Sequence, residues 1–275
     1  MAPSTEPTAI LSHLHRTDGS ATFSQNGYTV IGAVNGPLEI QRRDELPEEA
    51  AIDVVVRPAA GVGGIDLSSG YICLIAVILT LLVLGTRERH LESILQSTLR
   101  QIILIHNFPR TLIQITLQIT STPENDTAGS KLIQASSNLP ILPTLLQTAV
   151  LALLSASMPL SMTLTSTFLA VTSDGSSRSI LVNPTLLESQ AASSVHVMAF
   201  TSHGDLLVAE SEGDFSLKDW EAVHDAAKAI CCDDSQTSGG RLMGEEDMDE
   251  KSGSMLMFVK STLEDKIESD FQWKD

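Results

Sequence analysis

Between Thr86 and Thr120 the apolar period changes from that of a helix to that of a strand within a few residues, and few folds accommodate both. Leu91, Ile94, Leu95, Leu99, Ile102 and Ile103 recur at three- and four-residue steps, with Glu92, Gln96, Arg100 and Gln101 between them. That spacing puts one apolar stripe on an amphipathic helix. Pro109 disfavours helical geometry in Phe108, so the helix is expected to end at His106 and Asn107. From Thr111 onward Ile113, Ile115, Leu117 and Ile119 alternate with Gln114, Thr116 and Gln118, the period of a strand with one buried face. A helix that docks on a sheet is the unit these two periods specify.

Arg87, Arg89 and Arg100 lie on that helix and Arg110 in the turn after it. A guanidinium fork matches phosphate oxygens, and an exposed arginine is also an ordinary solvated surface group. Both readings fit the residues.

A chain of 275 residues can form one large domain or two small ones. Its net charge of -17 argues against an autonomous nucleic-acid binder, because phosphate affinity comes largely from Lys and Arg that displace counterions. The charge is uneven: residues 1–120 carry 8 basic and 11 acidic side chains, leaving 9 basic and 23 acidic after them. Cys73, Cys231 and Cys232 cannot make a disulfide framework, and an adjacent pair lacks zinc-ligand spacing, so a reducing compartment is expected. MAPSTEPTAILSHLH has no basic region followed by a long apolar core and does not read as a secretory signal.

In chain order, residues 1–12 are expected to be a disordered start. Asp18-Gly19, Asn26-Gly27 and Asn35-Gly36-Pro37 are turn signals around Phe23 and around Tyr28 to Val34, an antiparallel meander. Gln41 to Glu49 reads as a solvated charged loop, Ala51 to Arg57 as a strand, and Gly61 to Gly64 as a flexible bend. Tyr71 to Gly85 is apolar apart from Thr80; as a helix its fifteen residues would be roughly 22 Å long, against a hydrocarbon core of roughly 30 Å. A buried element, a membrane anchor and an in-frame intrusion are the alternatives for it. Ser121 to Asn138 is a polar loop. Pro143 opens a second helix that Pro159 stops, and strands follow at Met162 to Val171, Ser179 to Val182, Val195 to Phe200 and Leu206 to Ala209. Ser216 with Asp219 three residues later caps a third helix to Cys231, with Trp220, Val223, Ala227 and Ile230 inward. Residues 233–253 are an acidic insertion, and helical character returns over 254–275.

Hydrolytic and metal motifs are missing: there is no Gly-x-Ser-x-Gly elbow, His-Glu-x-x-His or Cys-x-x-Cys. His196, in an apolar strand, reads as a satisfied core or edge histidine rather than a ligand. No metal and no cofactor is expected.

Asn35-Gly36-Pro37, Arg42-Arg43-Asp44-Glu45-Leu46-Pro47, Val56-Arg57-Pro58, Arg87-Glu88-Arg89-His90-Leu91-Glu92, Phe108-Pro109-Arg110-Thr111 and Asn183-Pro184-Thr185 occur in an order and spacing that resembles the RNase PH-like family. The resemblance covers most of residues 10–230 and is greatest to ring subunits of the eukaryotic RNA exosome, in a fungal version. It implies an α+β fold, a mixed sheet with packed helices like domain 2 of ribosomal protein S5, over a domain at 13–232. Active members degrade RNA from its 3′ end by phosphorolysis, with a Gly-Thr-Arg loop for phosphate and acidic residues for the leaving group. Where that loop belongs this chain has a polar stretch ending Ala135-Ser136-Ser137-Asn138. The acidic positions fall near Asn183, Ser193 and Ser194, which cannot supply a carboxylate's charge or its general-acid chemistry.

The resemblance therefore implies a non-catalytic subunit, not an enzyme. Other RNase PH-like subunits would be its partners in a hetero-hexameric ring, working in rRNA maturation and RNA turnover in the nucleus, nucleolus and cytoplasm. Single-stranded RNA would be held by Arg87, Arg89, Arg100 and Arg110. An active phosphorolytic 3′ exoribonuclease and a membrane-anchored protein are the alternatives. In the family the glycine bend leads almost directly into the Arg-Glu-Arg helix, so residues 65–85 look inserted, as a retained intron would.

Overall fold

A computed structural model describes residues 6–43, 45–59, 74–123, 139–174, 177–232 and 254–272, with 74–87, 173–174 and 177 as backbone alone. The chain divides into two compact units, Met1–Ser161 and Met162–Asp275, where the sequence reading drew one domain across 13–232. Each unit holds a sheet whose strands find all their partners within it, and helices pack on both sheets, the α+β arrangement expected from sequence.

The first unit holds β1 (Thr8–Leu11), β2 (Gly19–Gln25), β3 (Tyr28–Glu39), β4 (Ala51–Arg57) and β5 (Thr111–Ser121), in the order β1-β2-β3-β5-β4. Strand β1 corrects the expected disordered start: Thr8 to Leu11 pair with Ser24 to Ala21, so their backbone groups are satisfied by the β2 edge. The meander is as expected, with Asn26 and Gly27 both at positive φ in the β2–β3 turn. β4 pairs parallel to β5 across the intervening helix, making the sheet mixed. The register aligns Ile52 with Ile113, Val54 with Ile115 and Val56 with Leu117. On the other side Val30 is opposite Ile119 and Val34 opposite Ile115. Two-residue alternation thus sums across strands to one buried apolar face.

Two α-helices belong to this unit among the described residues. Helix α1 (Leu74–Ile102) joins the end of the apolar run and the amphipathic segment in one element. Leu91, Leu95, Leu99 and Ile102 are buried as the stripe predicts. The helix ends at Ile102, not at Asn107, because Ile103 bridges Leu160 and Leu104 N–H donates to the Pro159 carbonyl at 3.1 Å. A short 3-10 turn over Ile105–Asn107 leads to Arg110, whose φ of 61° turns the chain into β5. Helix α2 (Leu142–Ser155), with Pro143 in its first turn, packs on β2 and β3. The polar row of α1 closes the outer edge of β4: Glu92 Oε1 accepts from Val56 N–H at 2.9 Å, and Gln96 Nε2 donates to the Ile52 carbonyl at 2.8 Å. An edge strand left open would template foreign pairing, and these side chains take up its outward groups.

The second unit is an antiparallel sheet of β6 (Leu164–Asp174), β7 (Ser177–Val182), β8 (Ser194–Thr201) and β9 (Leu206–Gly213), ordered β7-β6-β8-β9. A short helix α3 (Leu186–Ala191) precedes β8; sequence reasoning missed it although Thr185 and Glu188 form its capping box. Helix α4 (Leu217–Cys231) packs Val223, Ala227 and Cys231 on Leu169, Val171, Met198 and Phe200, with Trp220 and Ile230 at the margin. Helix α5 (Met255–Phe271) contacts α4 and β6. The expected α4 capping box is present, Ser216 Oγ donating to Asp219 Oδ2 at 2.6 Å and accepting from Asp219 N–H at 3.4 Å. Ser216→Ala is expected to cost about 1 kcal/mol, read as a lower urea midpoint with unchanged slope.

The glycine bend at 61–64, most of the polar loop up to Asn138 and the acidic segment 233–253 lie outside the described residues. Among the described residues no helix is long and apolar enough to cross a membrane, and no group of three or more His, Cys, Asp or Glu side chains is arranged to hold a metal ion. Cys231 is buried and Cys232 half-buried. Burial pushes the Cys231 thiol up to about 12, so the reactive thiolate is scarce there.

Candidate nucleic-acid interface

The arginines singled out from sequence divide by partner. Arg89 and Arg100 are eleven residues apart on α1, within about 20° of one face and roughly 16 Å apart along the axis. Arg89 is exposed and makes no ion pair among the described residues, and the Arg87 side chain lies outside them. Arg100 pairs with Glu49, and Arg110 Nε lies 3.1 Å from Glu45 Oε1. The charged stretch 41–49, expected to be a solvated connection, therefore joins the last turn of α1 to the turn before β5. Its backbone is fastened too: Arg110 N–H donates to the Leu46 carbonyl at 3.2 Å and Ala50 N–H to the Ile105 carbonyl at 3.0 Å.

Side-chain exposure separates the two sides of these pairs. Arg100 and Arg110 are 58% and 68% exposed, whereas Glu49 and Glu45 are 19% and 23% exposed. The carboxylates approach from beneath, and donors of the five-donor guanidinium forks still face solvent. Pairs this exposed contribute little to stability. Their chemical consequence is local: two arginines are held in place with their charge compensated, while Arg89 keeps its own. Sequence reasoning missed the acidic partners, and the signal for them was present in Glu45 and Glu49, two of the acids in the loop that returns to this corner.

Near where the resemblance places a phosphorolytic site's carboxylates, the chain carries Asn183, Ser193 and Ser194. Asn183 has φ 49° and donates its N–H to the Phe168 carbonyl at 2.8 Å. Ser193 Oγ donates to the Val171 carbonyl at 2.8 Å. Ser194, 2% exposed, hydrogen-bonds through Oγ to His196 Nε2 at 3.0 Å, and Ser211 Oγ holds His196 Nδ1 at 2.8 Å. His196 is fully buried, with the Phe215 ring edge-on at a centroid distance of 4.9 Å. A serine beside an imidazole can be an activated nucleophile, but here no substrate atom can reach the pair. His196 is a satisfied core histidine, as its apolar strand predicted. The Ala135-to-Asn138 stretch, where a phosphate loop would lie, is outside the described residues.

Comparison with known proteins places this geometry. The 3′ exoribonuclease family, domain 1 (RNase PH), matches residues 7–159. The chain is similar to the Saccharomyces cerevisiae protein named exosome complex component RRP46, 33% identical over 213 residues, 75% of this chain and 80% of that one. A rice protein named exosome complex exonuclease RRP46 homolog is 31% identical over 106 residues, 38% of this chain and 36% of that one. The crystal structure of rice Rrp46 superposes with a TM-score of 0.60 at 24% identity, over 83% of this chain and 91% of that one, which bears on the fold. The expected likeness within the exosome ring, the subunit called exosome component five, is corrected by these relatives, which are named RRP46.

Proposed function

Because the chain belongs to the RNase PH family of 3′ exoribonucleases, we propose that it is a non-catalytic ring subunit of the RNA exosome, similar to RRP46. The observation that carries the proposal is the fate of the acidic positions. Asn183, Ser193 and Ser194 carry no carboxylate, and the two serine hydroxyls are committed to Val171 and His196. General-acid assistance to a leaving phosphate ester needs a group that can give up a proton near neutral pH, which a serine hydroxyl or an amide does not. What remains is assembly with other RNase PH-like subunits into a hetero-hexameric ring and contact with single-stranded RNA, in rRNA maturation and RNA turnover in the nucleus, nucleolus and cytoplasm. Purified protein incubated with single-stranded RNA and inorganic phosphate is expected to release no nucleoside diphosphate. Release that Arg110→Ala abolishes would establish the second reading, a phosphorolytic enzyme, which the word exonuclease in the rice relative's name favours. Affinity purification from cells is expected to bring down other RNase PH-like chains; their absence sinks the ring assignment.

For RNA contact, the reading assigns Arg87, Arg89, Arg100 and Arg110, with Arg89 the group whose charge is uncompensated among the described residues. Each phosphate contact on a single strand adds about 0.7 to the slope of log affinity against log salt. Arg89→Ala is therefore expected to weaken binding and flatten the slope by about that amount with an unchanged melting temperature. An unchanged slope removes Arg89 from the interface. We also propose that residues 65–85 are a retained intron translated in frame; spliced messages that mostly encode them would refute this.

A further inference from the structure

The acidic loop sits on two of the guanidinium groups that the reading above assigns to RNA. Glu45 pairs with Arg110 and Glu49 with Arg100, while Arg110 N–H and Ala50 N–H fasten the loop's backbone and His106 Nδ1 lies 3.4 Å from the Glu48 carbonyl oxygen. We propose that Glu45 to Glu49 is an anionic latch, whose two carboxylates occupy Arg110 and Arg100 until phosphates of single-stranded RNA displace them. The proposal rests on those arginines being RNA contacts.

Carboxylate and phosphate both accept from the guanidinium fork, so one can replace the other at the same donors. An exposed pair contributes little, so a phosphate group can displace the carboxylate. The loop carboxylates also differ from solution counterions in one respect. Phosphate binding is driven largely by release of cations condensed on the RNA, and a carboxylate freed from its arginine gathers cations in their place, so the exchange releases no net ions. A latched arginine therefore adds little to affinity or to salt dependence until its carboxylate is removed. Outward guanidinium and inward carboxylate let a phosphate engage from solvent while the latch is still closed. If the carboxylates instead served only to orient the arginines, their removal would lower affinity, so the two roles predict opposite signs.

The test is fluorescence anisotropy of the full chain with a labelled single-stranded RNA across 50–200 mM salt. Glu45→Gln with Glu49→Gln is expected to tighten binding and to steepen the salt slope by about 1.4 for two released arginines, making the gain about sevenfold larger at 50 mM than at 200 mM. Adding Arg100→Gln and Arg110→Gln should erase that gain. Unchanged or weaker binding by the glutamine pair overturns the latch, as does a gain that survives loss of both arginines. If the arginine pair alone weakens binding while the glutamine pair has no effect, the latch fails and the RNA reading stands. If neither wild type nor any variant binds RNA, both fall. Amide exchange of the unmodified chain is a second measurement: saturating RNA should speed exchange at Arg110 and Ala50, and unchanged or slower exchange overturns the latch without any substitution.

Discussion

Gly19→Ala is expected to destabilise the first unit by about 3 kcal/mol, one of the largest effects open to a single methyl group in this chain. β2 passes the end of α2 so closely that a Cβ on Gly19 would lie 2.5 Å from the Ala152 carbonyl oxygen, 2.5 Å from Ala156 Cβ, and nearer still to the Ala156 backbone nitrogen. Two of these three neighbours are backbone, and Ala156 N–H donates at 3.0 Å to that same Ala152 carbonyl, the bond that finishes the helix. Relief therefore needs a shift of helix against sheet rather than a rotamer change. Thermal unfolding should fall by roughly 6–12 °C, given 2–4 °C per kcal/mol in a chain of this size. Ala156→Gly in the same chain should restore little, because it removes only the side-chain part of the clash. Full rescue would mean that the backbone contacts yield easily. Gly204→Ala is the useful contrast: at φ 85° with nothing nearer than Lys228 Cε at 3.6 Å, its cost is conformational, about 1–2 kcal/mol.

Gly19 also shows why some of the fold was legible and some was not. Asp18-Gly19 reads as a turn in sequence, yet the glycine stands in a strand and is required by a helix more than 130 residues away. Local periods carried the elements that bury one face: Ile113 to Ile119, Leu91 to Ile102, and the Ser216 cap followed by Val223 and Ala227 all lie where their spacing put them. The end of α1 moved because a long-range bond from Leu104 to Pro159 won over the local proline rule. Strand β1 was invisible because four residues gain order only from the partner edge. The arginines proposed for RNA contact could be named from sequence and their ion-pair partners could not, since Glu45 and Glu49 meet Arg110 and Arg100 only through the parallel β4–β5 crossover. The two units likewise follow from pairing, which no single strand's composition encodes.

His196 ties the second unit's stability to pH with a sign that can be stated in advance. Burial lowers its pKa below the usual histidine value near 6.5. Among the described residues no carboxylate faces the ring: Ser194 and Ser211 hold its nitrogens, Phe215 covers an edge, and strand alternation puts Glu210 and Glu212, either side of Ser211, on the opposite sheet face. The folded state therefore binds fewer protons than the unfolded chain between the lowered value and about 6.5. The stabilisation is fully present above that pH and is lost as pH falls toward the lowered value, with a limiting slope of about 1.36 kcal/mol per pH unit for one proton. His196→Leu should be less stable at pH 7.5 by about 1–3 kcal/mol, because Ser194 and Ser211 lose their shared partner inside the sheet. Between pH 7.5 and 5.5, however, the wild type should lose stability faster than the variant in urea titrations, and the gap between them should narrow. Parallel losses over that range would show that the buried imidazole is not the group that titrates.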